Sequence, residues 1–431
     1  MKLGPIRFIA FLCGGLAGIS LIPAQAQTFT VIHEFSGIAD GGNPVAGLTM
    51  DRAGHLYGTT LYGGGIGSCY GGLGCGTVFK LAETDSGSVV TPIYRFRGIP
   101  DGAGPFGPVV FGPDGALYGT TVEGGMGTNC TFYGDTGCGT VFKLTPPPTP
   151  CRAVQCPWTE TVLYRFSGGS DGSNPNSEAL VFDAAGNIYG TTELGGLNQG
   201  GVVFKLSPSP SGWTESVLYN FTADEGYPGG SVIFDDQGNL YGTAFGGFYP
   251  VCGIVYELTP SASGWTETTL YSFDPSLGDP CGPGGPLVLS SPGALYGGAG
   301  SGGPLGGGAV FELTYSNGVW TDHVLHAFPG ANGDGVDGGG LSTDPSGNLY
   351  GTTWEAGAYN LGSVFELTPS GSGWMFIDLH DFTGGGGGQN AVSNVVIGGA
   401  AILYGTTTAG GVANCNFEGW PGCGTLWEIR P

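Results

Sequence analysis

Candidate catalytic carboxylates lie in the longest loops that the sequence predicts. These loops carry the following acidic residues: Glu123, Asp135, Glu193, Glu355 and Glu418. Two carboxylates at a suitable separation can hydrolyse a glycosidic bond, because one protonates the leaving group while the other acts as base or nucleophile. No combination of serine, cysteine and histidine stands out for nucleophilic catalysis, and arginines that would clamp a phosphoryl group are scarce in these loops. Glycoside hydrolysis is the reaction class left open, and we name no catalytic residue.

Aromatic residues in the same loops indicate binding. Most other tryptophans stand at one recurring position of the chain, just before a predicted strand, whereas Trp354 and Trp420 do not. Exposed aromatic rings stack on sugars or anchor a protein partner, whereas the alternative is that they pack the loops against one another. The candidate ligand-binding residues are Trp354, Tyr359, Trp420, Tyr62, Tyr133 and Glu355.

Histidines and aspartates at repeat positions do not indicate a cofactor. His33, His326 and His380 stand where other repeats have tyrosine, so we interpret them as scaffold residues. One aspartate recurs in each of six connections, at Asp40, Asp101, Asp171, Asp224, Asp279 and Asp334. Such residues are typical of turns in which the carboxylate accepts backbone N–H groups. We expect no cofactor; calcium is the alternative, although the spacing matches no EF-hand loop.

The loops connect the strands of a sequence repeat. Seven segments of the type Leu-Tyr-Gly-Thr-Thr are centred on Tyr57, Tyr118, Tyr189, Tyr241, Tyr296, Tyr350 and Tyr404. One repeat contains four strand patterns, which we call a to d: residues 179–182, 187–192, 202–206 and 213–221. Alternating strand directions place the long b–c loops and the d–a connections on one face. Evenly spaced repeats of this length indicate one repetitive domain.

The repeats are circularly permuted. The last repeat ends after its strand c, and residues 30–35, which have the pattern of strand d, precede the first repeat. Pairing of these two segments closes a ring and removes its open edges. The sequence therefore predicts an all-β fold: a seven-bladed β-propeller of four-stranded blades, closed by the N-terminal strand pairing with the C-terminal strand.

The N-terminus has the features of a secretory signal peptide. Lys2 and Arg7 precede an apolar stretch, residues 8–22, and Ala24-Gln25-Ala26 forms a cleavage site. We therefore expect residues 1–26 to be removed and residues 27–431 to form the single mature domain, without a membrane span. The chain ends without an anchor segment, so we expect a secreted protein, extracellular or periplasmic.

The cysteines indicate disulfide bonds. Ten of the 11 follow the predicted cleavage site, and an even number in an exported chain favours disulfides over metal binding. Spacing suggests the pairs Cys69–Cys75, Cys130–Cys138, Cys151–Cys156 and Cys415–Cys423, which leaves Cys252 for Cys281.

The charge of the chain limits its partners. The formal net charge is −23, and removal of Lys2 and Arg7 makes it −25. An exterior this acidic repels phosphate backbones. We therefore expect a monomer that binds an extracellular glycan or protein and no nucleic acid.

Three sequence blocks resemble a known repeat. The Leu-Tyr-Gly-Thr-Thr, Gly-Thr-Val-Phe-Lys-Leu and Leu-Tyr-x-Phe blocks, which cover residues 28–431, are similar to the GloVer repeats of exported bacterial tandem-repeat proteins. The resemblance implies export but no general biochemical activity. We interpret the protein as an extracellular binding module that recognises polysaccharide on the face with the long loops; the alternative is a carbohydrate-active hydrolase.

Overall fold

The structure is a computed structural model. It describes residues 27–84, 87–99, 101–125, 127, 130–132, 135–148, 158–175, 179–246, 251–290, 293–330, 335–336, 340–371, 373–411, 415–417 and 419–431. The predicted signal peptide, the pair Cys151–Cys156 and Tyr133 lie outside these residues. Among the described residues, no helix has the length and apolar character needed to cross a membrane.

Seven four-stranded antiparallel sheets form the blades of a propeller, as predicted. In the spatial order a-b-c-d, blade 1 contains Thr49–Met50, Leu56–Thr60, Thr77–Thr84 and Gly87–Arg95; blade 2 contains Val110–Phe111, Leu117–Thr121, Thr140–Thr145 and Thr159–Arg165; blade 3 contains Val181–Phe182, Ile188–Thr192, Val202–Ser209 and Gly212–Asn220. Blade 4 contains Ile233–Phe234, Leu240–Phe245, Gly253–Ser261 and Gly264–Ser272, with Tyr227–Pro228 also paired to strand b.

The remaining blades follow the same order. Blade 5 contains Pro280–Ser290, Ala294–Gly302, Gly306–Ser316 and Val319–Pro329; blade 6 contains Ser342–Thr343, Leu349–Thr353, Ser363–Ser370 and Gly373–Asp381; blade 7 contains Val396–Ile397, Leu403–Thr407, Thr425–Arg430 and Thr28–Glu34. Two small hairpins, Thr131–Phe132 with Asp135–Thr136 and Asn416–Phe417 with Trp420–Pro421, extend b–c loops. Single 3-10 turns lie at Tyr70–Gly72, Pro275–Leu277, Gly385–Gly387 and Gly399–Ala401.

The N-terminal strand closes the ring. It pairs antiparallel with strand c of blade 7, with Thr28 opposite Arg430 and Glu34 opposite Thr425, and a bulge lies between Val31 and His33. The predicted closure is therefore confirmed. The N-terminal strand covers the edge that strand c of blade 7 would otherwise leave open, and it gives this blade the same four strands as the others.

Buried aromatic pairs join each blade to the next. The phenylalanine at the end of strand d packs against the aromatic residue of strand c in the following blade, with ring centroids 5.0 to 6.0 Å apart. The seven pairs are Phe35–Phe79, Phe96–Phe142, Phe166–Phe204, Phe221–Tyr256, Phe273–Phe311, Phe328–Phe365 and Phe382–Trp427. The phenylalanine of the Leu-Tyr-x-Phe block in one blade thus contacts the aromatic residue of the Val-Phe-Lys-Leu block in the next blade.

The glycine and the first threonine of Leu-Tyr-Gly-Thr-Thr have separate packing roles. A Cβ added to Gly58 would lie 2.5 Å from the ring of Phe79, so only glycine fits beneath that ring. The Thr352 hydroxyl donates to the carbonyl oxygen of Ser393 in the connection to the next blade, at 2.9 Å. Equivalent bonds are made by Thr59, Thr191, Thr243 and Thr406. The threonine therefore fastens neighbouring blades together.

The tyrosine of the same segment closes the a–b turn. The hydroxyl of Tyr189 donates to Asp183 Oδ2 at 2.9 Å, and Lys205 Nζ lies 5.4 Å from the centre of its ring. In blade 4 a glutamate takes the place of the lysine, and the Tyr241 hydroxyl donates to Glu257 at 3.0 Å. The lysines of the repeat are therefore cation–π partners in the scaffold.

Candidate functional site

The loop face, formed by the b–c loops and d–a connections, carries all four disulfides that the described residues contain. They are Cys69–Cys75, Cys130–Cys138, Cys252–Cys281 and Cys415–Cys423, each as predicted. The first, second and fourth close single b–c loops. Cys252–Cys281 instead joins the b–c loop of blade 4 to the chain that enters blade 5. The bonds restrict the loops and so hold the surface of this face in one shape.

Two tryptophans from different blades meet on the loop face. Trp354, in the b–c loop of blade 6, and Trp420, in that of blade 7, have ring centroids 5.1 Å apart and planes at 80°. Both side chains are half-buried. An edge-to-face arrangement is favourable for aromatic pairs. The contact packs two loops against each other, which is the alternative that the sequence left open for these residues, and joins the loops into one surface.

Backbone hydrogen bonds hold the Trp354 loop on both sides. The Trp354 N–H donates to the Gly335 carbonyl oxygen at 3.2 Å, and the Asn390 side chain donates to the Trp354 carbonyl oxygen at 3.1 Å. Asn390 has a positive φ of 58°, a conformation that asparagine tolerates. Sequence analysis missed this residue, although asparagines stand at equivalent positions 43 and 174 and donate to the corresponding loops.

Tyr359 lies in the same b–c loop and is 60% exposed. The loop is anchored beside it, because the N–H of Ala358 donates to Asp381 Oδ1 at 3.0 Å and the N–H of Gly362 donates to the Ala356 carbonyl oxygen at 2.9 Å. Glu355 is half-buried in this loop. We call Trp354, Tyr359 and Trp420 the aromatic surface.

Tyr62 does not belong to this surface. It is 1% exposed, and its backbone pairs with Gly42 in the connection from blade 7. A Cβ added to Gly42 would lie 2.6 Å from the Tyr62 ring, so the ring is packed directly against that connection. The expectation that Tyr62 contacts a ligand is therefore corrected: its ring is part of the interior. Tyr133 lies outside the described residues.

The carboxylates of the loop face occupy different environments. Glu123 is fully buried, whereas Glu193 and Glu355 are half-buried. Glu418 lies outside the described residues, and the structure describes only the backbone of Asp135. Within the described part of the chain, no three histidine, cysteine, aspartate or glutamate side chains form a group that could hold a metal ion.

The repeated aspartates of the d–a connections bind backbone and tyrosine groups. Asp101 accepts hydrogen bonds from the Tyr94 hydroxyl at 2.8 Å and the Arg97 N–H at 3.0 Å. Burial acts to raise the pKa of Asp40, but hydrogen bonds from His33 and Ser36 outweigh it and hold that pKa below its ordinary value. These contacts, and equivalent ones at Asp171 and Asp279, explain these four aspartates as turn residues. Asp334 lies outside the described residues.

One member of the predicted aspartate set is different. After blade 3, Glu225 rather than Asp224 accepts the Tyr219 hydroxyl, at 2.5 Å, and the Thr222 N–H, at 2.7 Å. Asp224 is exposed. The longer glutamate side chain reaches the same donors from one position later in the chain.

The fold and its loop face define a class: a seven-bladed β-propeller whose loops are disulfide-bonded on one face. The chain belongs to the Gloeobacter/Verrucomicrobia repeat family, whose sequence profile matches residues 130–291 and 282–431. No curated protein matches its sequence.

Several solved structures have a similar fold. An ulvan lyase from a new family of polysaccharide lyases is 13% identical, with 91% of this chain and 95% of that chain covered and a TM-score of 0.50. A glucose dehydrogenase is 14% identical, with 80% and 100% covered and a TM-score of 0.45. A carbohydrate-active enzyme of Trichoderma reesei is 11% identical, with 80% and 97% covered and a TM-score of 0.43. At these identities the likeness concerns the fold alone.

Proposed function

We propose that this protein is an exported binding module that takes an extended neutral polysaccharide on the aromatic surface of blades 6 and 7. The observation that carries the proposal is the contact between Trp354 and Trp420, together with the 60% exposure of Tyr359 in the same loop as Trp354. Aromatic side chains offer a large apolar area at a low cost in side-chain entropy. An extended sugar chain presents several flat apolar ring faces, which suits contacts at more than one aromatic residue.

Charge and redox chemistry support the other parts of the proposal. A net charge of −23 disfavours anionic polymers, which would be repelled at long range. Four disulfides within the described residues suit an oxidising compartment outside the cytoplasm. Loops on a rigid scaffold are common positions for binding residues.

Binding is tested by native affinity electrophoresis of the mature protein in gels that contain xylan, galactomannan or mixed-linkage β-glucan. We expect retardation by at least one of them, and little retardation by polygalacturonate. Trp354→Ala and Tyr359→Ala should weaken the retardation while the melting temperature changes little for Tyr359→Ala. Tyr315→Ala is the matched control, because Tyr315 is 58% exposed near the c–d turn of blade 5, on the opposite face. Absence of retardation, followed by absence of binding on a broad glycan array, would reject the proposal.

The hydrolase alternative makes a different demand on Glu355. A hydrolase needs two carboxyl groups within about 5 to 10 Å of each other across the scissile bond. Incubation with the retarding polysaccharide, followed by measurement of reducing ends, distinguishes the two functions. If the wild-type protein releases reducing ends and Glu355→Gln does not, hydrolysis is favoured. A binding module should release none, and Glu355→Gln should still be retarded in the gel.

A further inference from the structure

Pairs of carboxyl groups recur where neighbouring blades meet at their outer strands. Between blades 1 and 2, Asp101 accepts the Tyr94 hydroxyl at 2.8 Å, and Glu160 of the next strand d interacts electrostatically with both. Glu160 Oε1 is buried without a hydrogen-bond partner. A buried carboxylate oxygen without a donor is costly when the group is ionised. This junction therefore contains two acids with donors for only one.

The same arrangement occurs at three more junctions. Each contains a tyrosine of strand d, the acid that accepts its hydroxyl, and an acid from strand d of the next blade. The sets are Tyr164, Asp171 and Glu215; Tyr219, Glu225 and Glu267; and Tyr271, Asp279 and Asp322. Glu215 Oε1 and Asp322 Oδ1 are also buried without a partner.

The surroundings of these acids supply little positive charge. Glu160 faces Asp101 and Tyr94; Arg165 of its own strand offsets part of that repulsion, and Arg97 acts on Tyr94. Glu215 faces Asp171 and Tyr164. Glu267 faces Glu225, Tyr219 and Tyr256, and accepts the Thr269 hydroxyl at 2.9 Å. Asp322 faces Asp279 and Tyr271, with Asp274 also acting on that tyrosine, and a backbone hydrogen bond from His323 to Asp322 offsets part of the effect.

The remaining junctions carry no such pair in the described residues. At the junction of blades 6 and 7, His380 stands at the tyrosine position and Phe29 at the position of the acid. At the junction of blades 5 and 6, His326 and Phe376 stand at the same two positions. His33 is paired with Asp40, and Val90 stands at the acid position of the following strand. In the part of the chain that the structure describes, strand d therefore carries this acid only in blades 2 to 5, where the preceding blade supplies both a tyrosine and a second acid.

We infer that the four carboxyl pairs make the packing between blades 1 to 5 proton-dependent. The interfaces between these blades are most stable in acid and become less stable as the pH rises to neutral. Protonation of one acid in each pair removes the repulsion between the two carboxylates. At Glu160, Glu215 and Asp322 it also removes the cost of an ionised group with a buried oxygen that has no donor.

The sign of the effect follows from linkage. Burial, followed by the neighbouring Asp101, raises the pKa of Glu160 to about 7, and burial and Asp171 raise that of Glu215 to about 7. Burial and Asp279 raise the pKa of Asp322 to about 7. The folded state therefore binds these protons more tightly than the unfolded chain. Their contribution to stability is complete below the ordinary carboxyl pKa and is lost as the pH rises to about 7.

The test is the pH dependence of the melting temperature of the mature protein and of E160Q/E215Q/D322N. The wild-type melting temperature minus that of the variant should fall by several degrees between about pH 5 and pH 8. The matched control E83Q/D224N/D236N removes the same number of charges from exposed positions. The melting temperature of the wild type minus that of this control should stay nearly constant between about pH 5 and pH 8. An unchanged difference in the first variant, or an equal change in the control, would overturn the inference.

Proton release on unfolding provides a second measurement that needs no variant. Unfolding of the wild-type protein with urea in weakly buffered solution near pH 6 should release about two or three protons from these carboxyl groups. The protons bound by histidines are subtracted after their ring signals have been titrated. If no protons are then released on unfolding, the proton dependence of the blade interfaces is contradicted.

Discussion

The ring of Phe29 stacks on the ring of His380, with centroids 3.6 Å apart and planes within 3° of parallel. Phe29 lies in the N-terminal strand that completes blade 7, whereas His380 lies in strand d of blade 6. His326 and Phe376 repeat the contact one junction earlier, at 3.8 Å and 8°. The closing strand is therefore fixed by its backbone ladder and also by an aromatic contact with the neighbouring blade.

Removal of the Phe29 ring should destabilise the closed ring. We expect Phe29→Ala to lower the free energy of unfolding by about 1 to 3 kcal/mol, because a half-buried aromatic surface and a stacked pair are lost. Urea denaturation measures the change, with Met375→Ala, a 50% exposed position of strand d in blade 6, as the control. Equal effects of the two substitutions would show that the stacking does not stabilise closure.

The first threonine of the repeat segment should contribute through its hydrogen bond to the next blade. Thr352→Val leaves the buried Ser393 carbonyl oxygen without the hydroxyl that donates to it at 2.9 Å. We expect a loss of about 1 to 3 kcal/mol. Thr321→Val, at an exposed position of strand d in blade 5, should change the stability by less than about 0.5 kcal/mol. A neutral effect of Thr352→Val in urea denaturation would contradict the inter-blade role.

The two stacked histidines should oppose the carboxyl pairs in their pH dependence. Burial lowers the pKa of both His326 and His380, and at His380 the nearby Asp381 partly offsets this. A depressed histidine pKa means that the unfolded chain binds the proton more tightly, so their contribution is present above about pH 6.5 and is lost as the pH falls. His380→Phe should therefore reduce the loss of stability in acid.

Ring NMR of the histidines tests that prediction directly. His380 should titrate below the ordinary histidine range, and the Phe29→Ala substitution should move its pKa back towards that range by exposing the ring. An unshifted His380 titration in the wild-type protein would contradict the burial that the structure assigns to it.

The disulfides should differ in their contributions. Cys252–Cys281 closes a sequence separation of 29, whereas Cys69–Cys75 closes one of 6. The loop-entropy relation gives about 3.5 kcal/mol for the first and about 2.5 kcal/mol for the second. The double serine variants C252S/C281S and C69S/C75S, compared by urea denaturation, should show the larger loss for the first. The reverse order would mean that native-state strain or residual unfolded structure dominates.

Part of the proposed binding surface could be predicted from the sequence, and part could not. Trp354, Trp420 and Tyr359 stood out because they break the repeat pattern in long loops. Tyr62 also occupies such a loop, but the second position after strand b pairs with the d–a connection in several blades, as at Glu123 and Ala409. The residue type at that position varies, with glutamate at 123 and 355 and alanine at 409, so the sequence did not mark Tyr62 as buried.

The sequence by itself determined the repeat, the four strands of each blade, the circular permutation and three of the close cysteine pairs. These features depend on contacts within one repeat or on alternation along one strand, so they are legible at short range. The contacts of Trp354 with Trp420, of Phe29 with His380 and of Glu160 with Asp101 were decided only by the tertiary structure. Each joins different blades, and which side chains meet there depends on ring closure and on how neighbouring sheets pack, which no local pattern encodes.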